Sequence, residues 1–215
     1  MKVLAICLLV LSLIHGTSVS ATAQQPDRIE IEGVEYSLHT NPLSSVMEAR
    51  NWEPPKDAIW SSGNWRGYVA RWAIRDDALV LLEVTVAIWN EEKVETSRSI
   101  IGELYDQPPP VLASWYSGAL VIPEGKQVHY VHMGYGSTYE RYQIFRIQGG
   151  KVLEHRSLDQ AEFRTHREQK FAEWQQTPEF QAHYDSLVEK DADDWTHDDI
   201  IDFMKGFYAE VYLAR

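Results

Sequence analysis

Residues Tyr68 to Ile88 read YVARWAIRDDALVLLEVTVAI, and how this stretch alternates decides the class of fold. Side chains two apart share one face of a strand, so Tyr68, Ala70, Trp72 and Ile74 form one apolar face. Arg75-Asp76-Asp77-Ala78 supplies a turn, and Val80, Leu82, Val84, Val86 and Ile88 give an apolar face on the return. The other face of that return strand, Leu79, Leu81, Glu83, Thr85 and Ala87, is apolar at one end only. The pattern predicts a central antiparallel strand with one wet end.

The same alternation recurs on both sides. Arg28 to Leu38 reads as a short hairpin turning at Glu32-Gly33 and stopped by Asn41-Pro42, because proline removes a ladder donor. Ser44 to Ser62 reads as a loop with a helical turn over Ser45 to Arg50, and Pro108-Pro109-Pro110 as an extended connector. Ser117 to Ile122 is a strand, Pro123-Glu124-Gly125 is expected to turn it, and Gln127 to Met133 to pair back. Thr138 to Ile147 follows, and Gly149-Gly150 turns tightly into Lys151 to Arg156. Residues 28–157 therefore predict an antiparallel β meander of about seven to nine strands, curled into a sandwich or half-barrel.

From residue 158 the period changes. Asp159 to Gln175 carries Phe163, Phe171 and Trp174 on one side of a helix. Thr177-Pro178 is a helix start, with threonine as cap and proline in the first turn, and Phe180, Tyr184, Leu187 and Val188 form its stripe. Thr196-His-Asp-Asp199 resembles a capping box, and Ile200, Ile201, Phe203, Met204, Phe207, Tyr208, Val211 and Tyr212 follow as a wide apolar face. Such faces need a surface to cover, and the open side of the sheet is the one at hand. The chain is thus expected to be a single α+β domain over residues 24–215, mainly β from 28 to 157 and helical from 158 to 215.

The first 23 residues read as a signal peptide: one charge at Lys2, an apolar run from Val3 to Ile14, then Ala21-Thr-Ala23. The run is short for a membrane span, so cleavage is expected after Ala23 and the mature chain in the periplasm or outside the cell. Cys7, the chain's one cysteine, falls inside that segment, which leaves no disulfide and no thiolate ligand beyond it. No asparagine stands in a glycosylation sequon. The formal net charge is −12, and from Glu154 onward 15 acids face 7 bases. That balance argues against nucleic acid and against insertion into an anionic membrane.

The densest run of reactive side chains is Tyr130-Val-His-Met-Gly-Tyr-Gly-Ser-Thr-Tyr-Glu140. On a strand His129 and His132 point to opposite faces and cannot chelate one metal. Gly134 and Gly136 suit a loop between strands and lack the Lys-Ser/Thr of a phosphate loop. Tyr135 would then sit at a loop tip, as a contact residue or packed beneath the loop. Arg66 is expected to pair with a carboxylate, Glu83 or Glu140, or to stack on an aromatic ring, the functional alternative being a clamp for an anion. Trp52, Trp60, Trp65, Trp115 and Tyr116 lie in or beside loops, where rings either bind sugars and peptides or fill the core. The acidic run Asp191 to Asp199 fails the EF-hand spacing, and helix capping accounts for Thr196, Asp198 and Asp199. No nucleophile elbow, H-E-x-x-H or other catalytic motif occurs.

Three motifs, Tyr36-x-Leu38-x-x-Asn41-Pro42-Leu43, Asn64-Trp-Arg-Gly-Tyr-Val-Ala70-x-Trp72-x-Ile74 and Tyr130-Val-His-Met-Gly-Tyr-Gly-Ser137-x-Tyr139-Glu140, together with Trp115-Tyr-Ser-Gly118, resemble a family of uncharacterised exported bacterial proteins. The resemblance spans most of the β region and implies no activity and no catalytic residue. It implies that the motifs act as a set and meet in space. The expected function is a non-catalytic binding or interaction module for a protein, peptide or sugar. Its surface would draw on Trp65, Arg66, Tyr68, Trp115, Tyr116, His132, Tyr135, Tyr139 and Glu140, with neither metal nor cofactor. The alternative is a hydrolase using Glu140 and His132, with Arg66 holding an anion.

Overall fold

The computed structural model describes residues 23–191 and 195–215. Most of the expected signal peptide, with Cys7, and Asp193 and Asp194 of the acidic run lie outside the described residues. Among the described residues nine strands follow in order: β1 (Asp27–Ile31), β2 (Val34–Leu38), β3 (Val69–Arg75), β4 (Ala78–Trp89), β5 (Glu95–Ser99), β6 (Val111–Leu112), β7 (Gly118–His129), β8 (Thr138–Gln148) and β9 (Lys151–Asp159). Helices α1 (Ser44–Ala49) and α2 (Ile101–Leu104) interrupt them, and α3 (Gln160–Gln175), α4 (Pro178–Asp191), α5 (His197–Phe207) and α6 (Ala209–Tyr212) close the chain. The fold is α+β. None of the described helices is long and apolar enough to cross a membrane.

The sheet path is β2-β1-β3-β4-β9-β8-β7, with β5 and β6 also paired to β4. It is mostly antiparallel, but β1 runs parallel to β3, so it is not a simple meander. The long connection between β2 and β3, which includes α1, is what allows a parallel neighbour. Strands β4 and β9 meet only at Ala78 and Lys151, and the sheet splays beyond that corner. Its two ends approach where His39 N–H donates to the Val121 carbonyl at 2.8 Å.

Two local expectations fail for one physical reason. In β4, Arg71 faces Glu83 and Trp72 faces Leu81, so Leu82 is an extra residue. This bulge changes the parity of the strand: the core takes Leu79 and Leu81 on one side of it and Val84 and Val86 on the other. The continuous face Val80-Leu82-Val84 therefore does not exist. Pro123-Glu124-Gly125 does not turn the chain either. β7 runs on to His129, with a bulge where Glu124 and Gln127 face Arg141 and Tyr139. β7 is the last strand of the path, where proline is tolerated.

β7 and β8 carry both cores. Leu120, Ile122, Phe145 and Ile147 face inward against Trp72, Leu38 and Ile29. Ala119, Val121, Tyr142 and Ile144 face the helices and meet Phe163, Phe171, Trp174, Met204 and Tyr212. Trp174 is wholly buried, with the rings of Phe180 and Tyr208 at 5.1 and 5.6 Å. Two helix starts form as their sequences predict: Thr196 makes a capping box, and Thr177 Oγ1 accepts from Phe180 N–H at 3.2 Å; Asp159 makes a further capping box with Glu162.

At the splayed corner Gly150 has φ +79°, and a Cβ there would meet backbone atoms of Ala113 at 2.9 Å. Its N–H donates to the Tyr116 carbonyl, and its carbonyl accepts from Leu79 N–H. Gly150→Ala is expected to cost about 2–4 kcal/mol through strain and clash together. Gly33→Ala, at the same φ of +79° but in open space, is expected to cost about 1 kcal/mol. Urea denaturation of the two variants measures the difference.

Candidate functional site

The N-terminal end of β1 places an acid in the interior. Asp27 is fully buried, and its carboxylate accepts from Arg66 Nη1 at 2.9 Å, Ala70 N at 3.1 Å and Trp72 Nε1 at 3.0 Å. Arg66 also donates to the Gln25 carbonyl at 2.8 Å. Its partner is thus Asp27, not Glu83 or Glu140: the former bonds Ser99 and the latter Lys126 N–H. Burial pushes the Asp27 carboxyl up, against the pull of Arg66. The guanidinium stands 5.1 Å from the centre of the buried Tyr68 ring. Burial raises that phenol to about 12.

Beside this pair the segment 130–137 leaves β7 and folds back. Ser137 Oγ accepts from Val131 N–H at 3.0 Å, and Gly136 N–H donates to the Met133 carbonyl. Tyr135 is drawn inward. Its hydroxyl donates to Asn41 Oδ1 at 2.9 Å, and its ring stacks on His39 at 4.8 Å. Burial raises the Tyr135 phenol, with Arg66 opposing. Burial also lowers His39 to about 4, so the imidazole is neutral at ordinary pH. Tyr139 meets the same histidine edge-on at 5.5 Å.

His39 and Tyr135 form one wall of a cleft of about 370 Å³ between segment 135–138, β8 and helices α3 and α5. Tyr142 and Phe163, stacked at 3.9 Å, also line it. Arg164, Arg167, Glu168 and Lys205 bring charge to it. Arg167 is held by Tyr212 Oη at 2.8 Å and the Lys205 carbonyl at 2.6 Å. Among the described residues, no ion pair engages Arg164, Arg167 or Lys205. The arrangement can hold an anion against a ring-lined wall.

Behind the wall lies a second, half-buried acid. Glu210 Oε2 accepts from Asn41 N–H at 3.4 Å. Burial pushes its carboxyl up to about 7, against the Asn41 bond, and Glu48 adds to the rise.

The residues expected to form the binding surface divide. Arg66, Tyr68 and Tyr135 come together, and Tyr139 joins through His39. Arg66 and Tyr68 are buried, so they support the wall and are not themselves a surface. Trp65 is 63% exposed on the neighbouring loop. Trp115 is half-buried, donates from Nε1 to the Pro42 carbonyl at 3.0 Å and stacks on Tyr105. Tyr116 is buried, with its hydroxyl on the Ala119 carbonyl at 2.8 Å. His132 is exposed and contacts Tyr130 through Nδ1, while Glu140 is exposed on β8. His132, Glu140 and Arg66 share no hydrogen bond or ion pair, so the hydrolase constellation is not assembled. Among the described residues no group of three or more His, Cys, Asp or Glu stands close enough to hold a metal.

Asp27, His39, Glu210 and the three cations of the cleft were missing from the sequence-level site. Their partners lie far along the chain, as with the separation of 39 residues between Asp27 and Arg66. Asn41-Pro42 did carry a signal, as part of the first motif: it joins Tyr135 of the third motif and Trp115 of the Trp115-Tyr-Ser-Gly118 stretch. Comparison with protein-family models, with curated proteins and with solved structures finds no match.

Two stability measurements follow from this geometry. Asp27→Ala leaves a buried guanidinium without its counter-ion and is expected to cost about 3–5 kcal/mol. Glu30→Ala, at the exposed pair with Arg75, is expected to cost about 0–1 kcal/mol. For Glu210 the folded carboxyl binds its proton more tightly than the unfolded one. The stability it contributes is fully present below the ordinary carboxylate range and is lost as pH rises through about 7. Glu210→Gln should therefore melt above the parent protein at about pH 8, with the difference closing below about pH 4.5. A flat difference across that range would contradict the assignment.

Proposed function

We propose that this chain is an exported, non-catalytic binding module whose ligand is a small anion-bearing molecule seated in the cleft between segment 135–138 and helices α3 and α5. The observation that carries the reading is electrostatic. In a chain of 32 acids and 20 bases, three cations and one acid, Glu168, line one concavity, and among the described residues no ion pair engages the cations. A concave site focuses such a field onto a ligand. A neutral His39 and an inward Tyr135 give the other wall flat rings rather than charge.

The size of the cleft suits a small molecule better than a protein surface. Binding is favoured over catalysis because His39 makes ring contacts and, among the described residues, no hydrogen bond to a carboxylate that would orient it as a base. Export, with cleavage after Ala23, and the resemblance to exported bacterial proteins belong to the same proposal. Sequencing the secreted protein should return Gln24 as its first residue.

A thermal-shift screen of sugars, peptides and small organic anions tests the reading. At one hundred times its Kd, a ligand of the native state adds about 2.7 kcal/mol of stability. Anions are expected to raise the melting temperature, and Arg164→Gln with Lys205→Gln to remove the rise. If neutral sugars alone shift the melt, or the double variant responds like the parent, the cleft is not the site.

A further inference from the structure

A second concavity, of about 630 Å³, opens beside the first and shares Tyr135, Gly136, Arg167 and Gly206 with it. Its character is different. Val131 and Met133 from the segment after β7 face Trp195, just before α5, and Phe203 and Phe207 on it. Phe203 stacks on Phe207 at 4.6 Å, and Trp195 meets Phe203 at 5.0 Å. Yet Met133 is 53% and Phe207 48% exposed. The wide apolar face read from residues 200–212 is thus only partly used by the core: Ile200, Met204 and Tyr212 are buried, while the side bearing Phe203 and Phe207 is left for the trough. Contiguous exposed apolar surface of this kind marks a binding groove.

Charge fixes which end of a ligand goes where. Arg164 and Lys205 line the polar cleft with one acid, Glu168, Arg167 lines both concavities, and the trough has Asp199 and Asp202. Asp199 is engaged in capping α5 through Thr196. A negative head is attracted to the cleft and repelled from the far rim, and an apolar tail gains only in the trough. Gly206 lies where the two meet, and a Cβ there would touch nothing within 4 Å.

We infer that the ligand is a monomeric amphipathic carboxylate, its head beside Arg164 and Lys205 and its alkyl chain running past Gly206 into the trough lined by Val131, Met133, Phe203 and Phe207. This deepens the proposed function and rests on it. The carboxylates on the trough rim disfavour an anionic bilayer as the source, so the ligand is taken from solution.

Isothermal titration of the purified protein with octanoate, decanoate and dodecanoate below their micellar concentrations tests the inference, with 1-decanol, butyrate and inorganic phosphate as controls. Affinity is expected to rise by up to about fourfold for each added methylene. Decanoate should bind at least about tenfold more tightly than 1-decanol, since a paired charge discriminates by that order. Arg164→Gln with Lys205→Gln should erase that preference. Gly206→Leu favours the helix and obstructs the junction, so it should weaken decanoate by about tenfold or more while the protein melts no lower. Equal affinity for 1-decanol and decanoate overturns the inference. So does binding of butyrate or phosphate as tight as that of decanoate, binding to phosphatidylglycerol vesicles in place of monomers, or indifference to Gly206→Leu. In each of those cases an anion that still depends on Arg164 and Lys205 leaves the proposed function standing. If none of these probes binds and the wider screen is also silent, both readings fall.

Discussion

The molecule depends on the pairing of β7 with β8. Both strands are buried on both faces along their first-paired halves, from Gly118 to Pro123 and from Tyr142 to Ile147. One face completes the core inside the curled sheet, and the other is the platform on which α3 and α6 lie. Helices this apolar on one side have little stability in water alone, so the platform decides whether they form. The far ends of the same two strands run out beyond the helices. The connection between them, segment 130–137, is left at the helix layer's edge, and there the cleft and the trough open. Site and fold thus share one cause: a strand pair longer than the helices that cover it.

A polar seam ties that edge to the rest of the sheet. Asp27 gathers Arg66, Ala70 and Trp72 at the start of β1. Arg66 in turn fixes the Gln25 carbonyl, and Gln24 N–H donates to the Gly134 carbonyl at 3.1 Å. Buried ions are costly unless they are paired and hydrogen-bonded, so the seam holds only while every member is in place. Its effect is to set the position of Gly134 and, next to it, Tyr135. Asn41 then receives the Tyr135 hydroxyl and gives its own N–H to Glu210. The wall of the cleft is therefore supported from behind by three separate stretches of chain, which limits the reorganisation a ligand must impose.

What was legible in the sequence was local. The caps at Thr177 and Thr196, the turn between β3 and β4, and the buried side of α3 follow from side chains within a few residues of one another, and the structure has them. What was not legible depended on partners elsewhere. The bulge at Leu82 is silent because Leu79 to Leu82 is apolar on both parities, so alternation fits either register. Pro123 and Gly125 look like a turn until the strand opposite is known to carry Tyr142 and Arg141 across from Pro123 and Glu124. Arg66 could be read as a buried, paired arginine, but its acid lay on another strand. Tyr135 had the residues of an exposed loop tip, and only His39 and Asn41 turn it inward. Arg164, Arg167 and Lys205 look like the solvated charges of two helices until those helices are laid side by side.

That last case bears on how an acidic protein can select an anion. At physiological ionic strength charges are screened over about 8 Å, so the net charge of −12 is felt weakly at any one point and the local set decides. Lys205 and Arg164 belong to the region richest in acid, yet two of the three acids of α3 are spent within their own helix: Glu162 closes the cap at Asp159 and Glu173 pairs with Lys170, which leaves Glu168 as the one carboxylate residue lining the cleft. Glu154 takes both Arg146 on the neighbouring strand β8 and Arg156 on its own strand. With those carboxylates engaged elsewhere, three cations face one acid at the cleft and keep a net positive field. The surrounding acids then repel anions from the rest of the surface, so that attraction is confined to one mouth. Selectivity here comes from where the counter-ions are not, and that follows from the helix caps and strand pairs which build the fold.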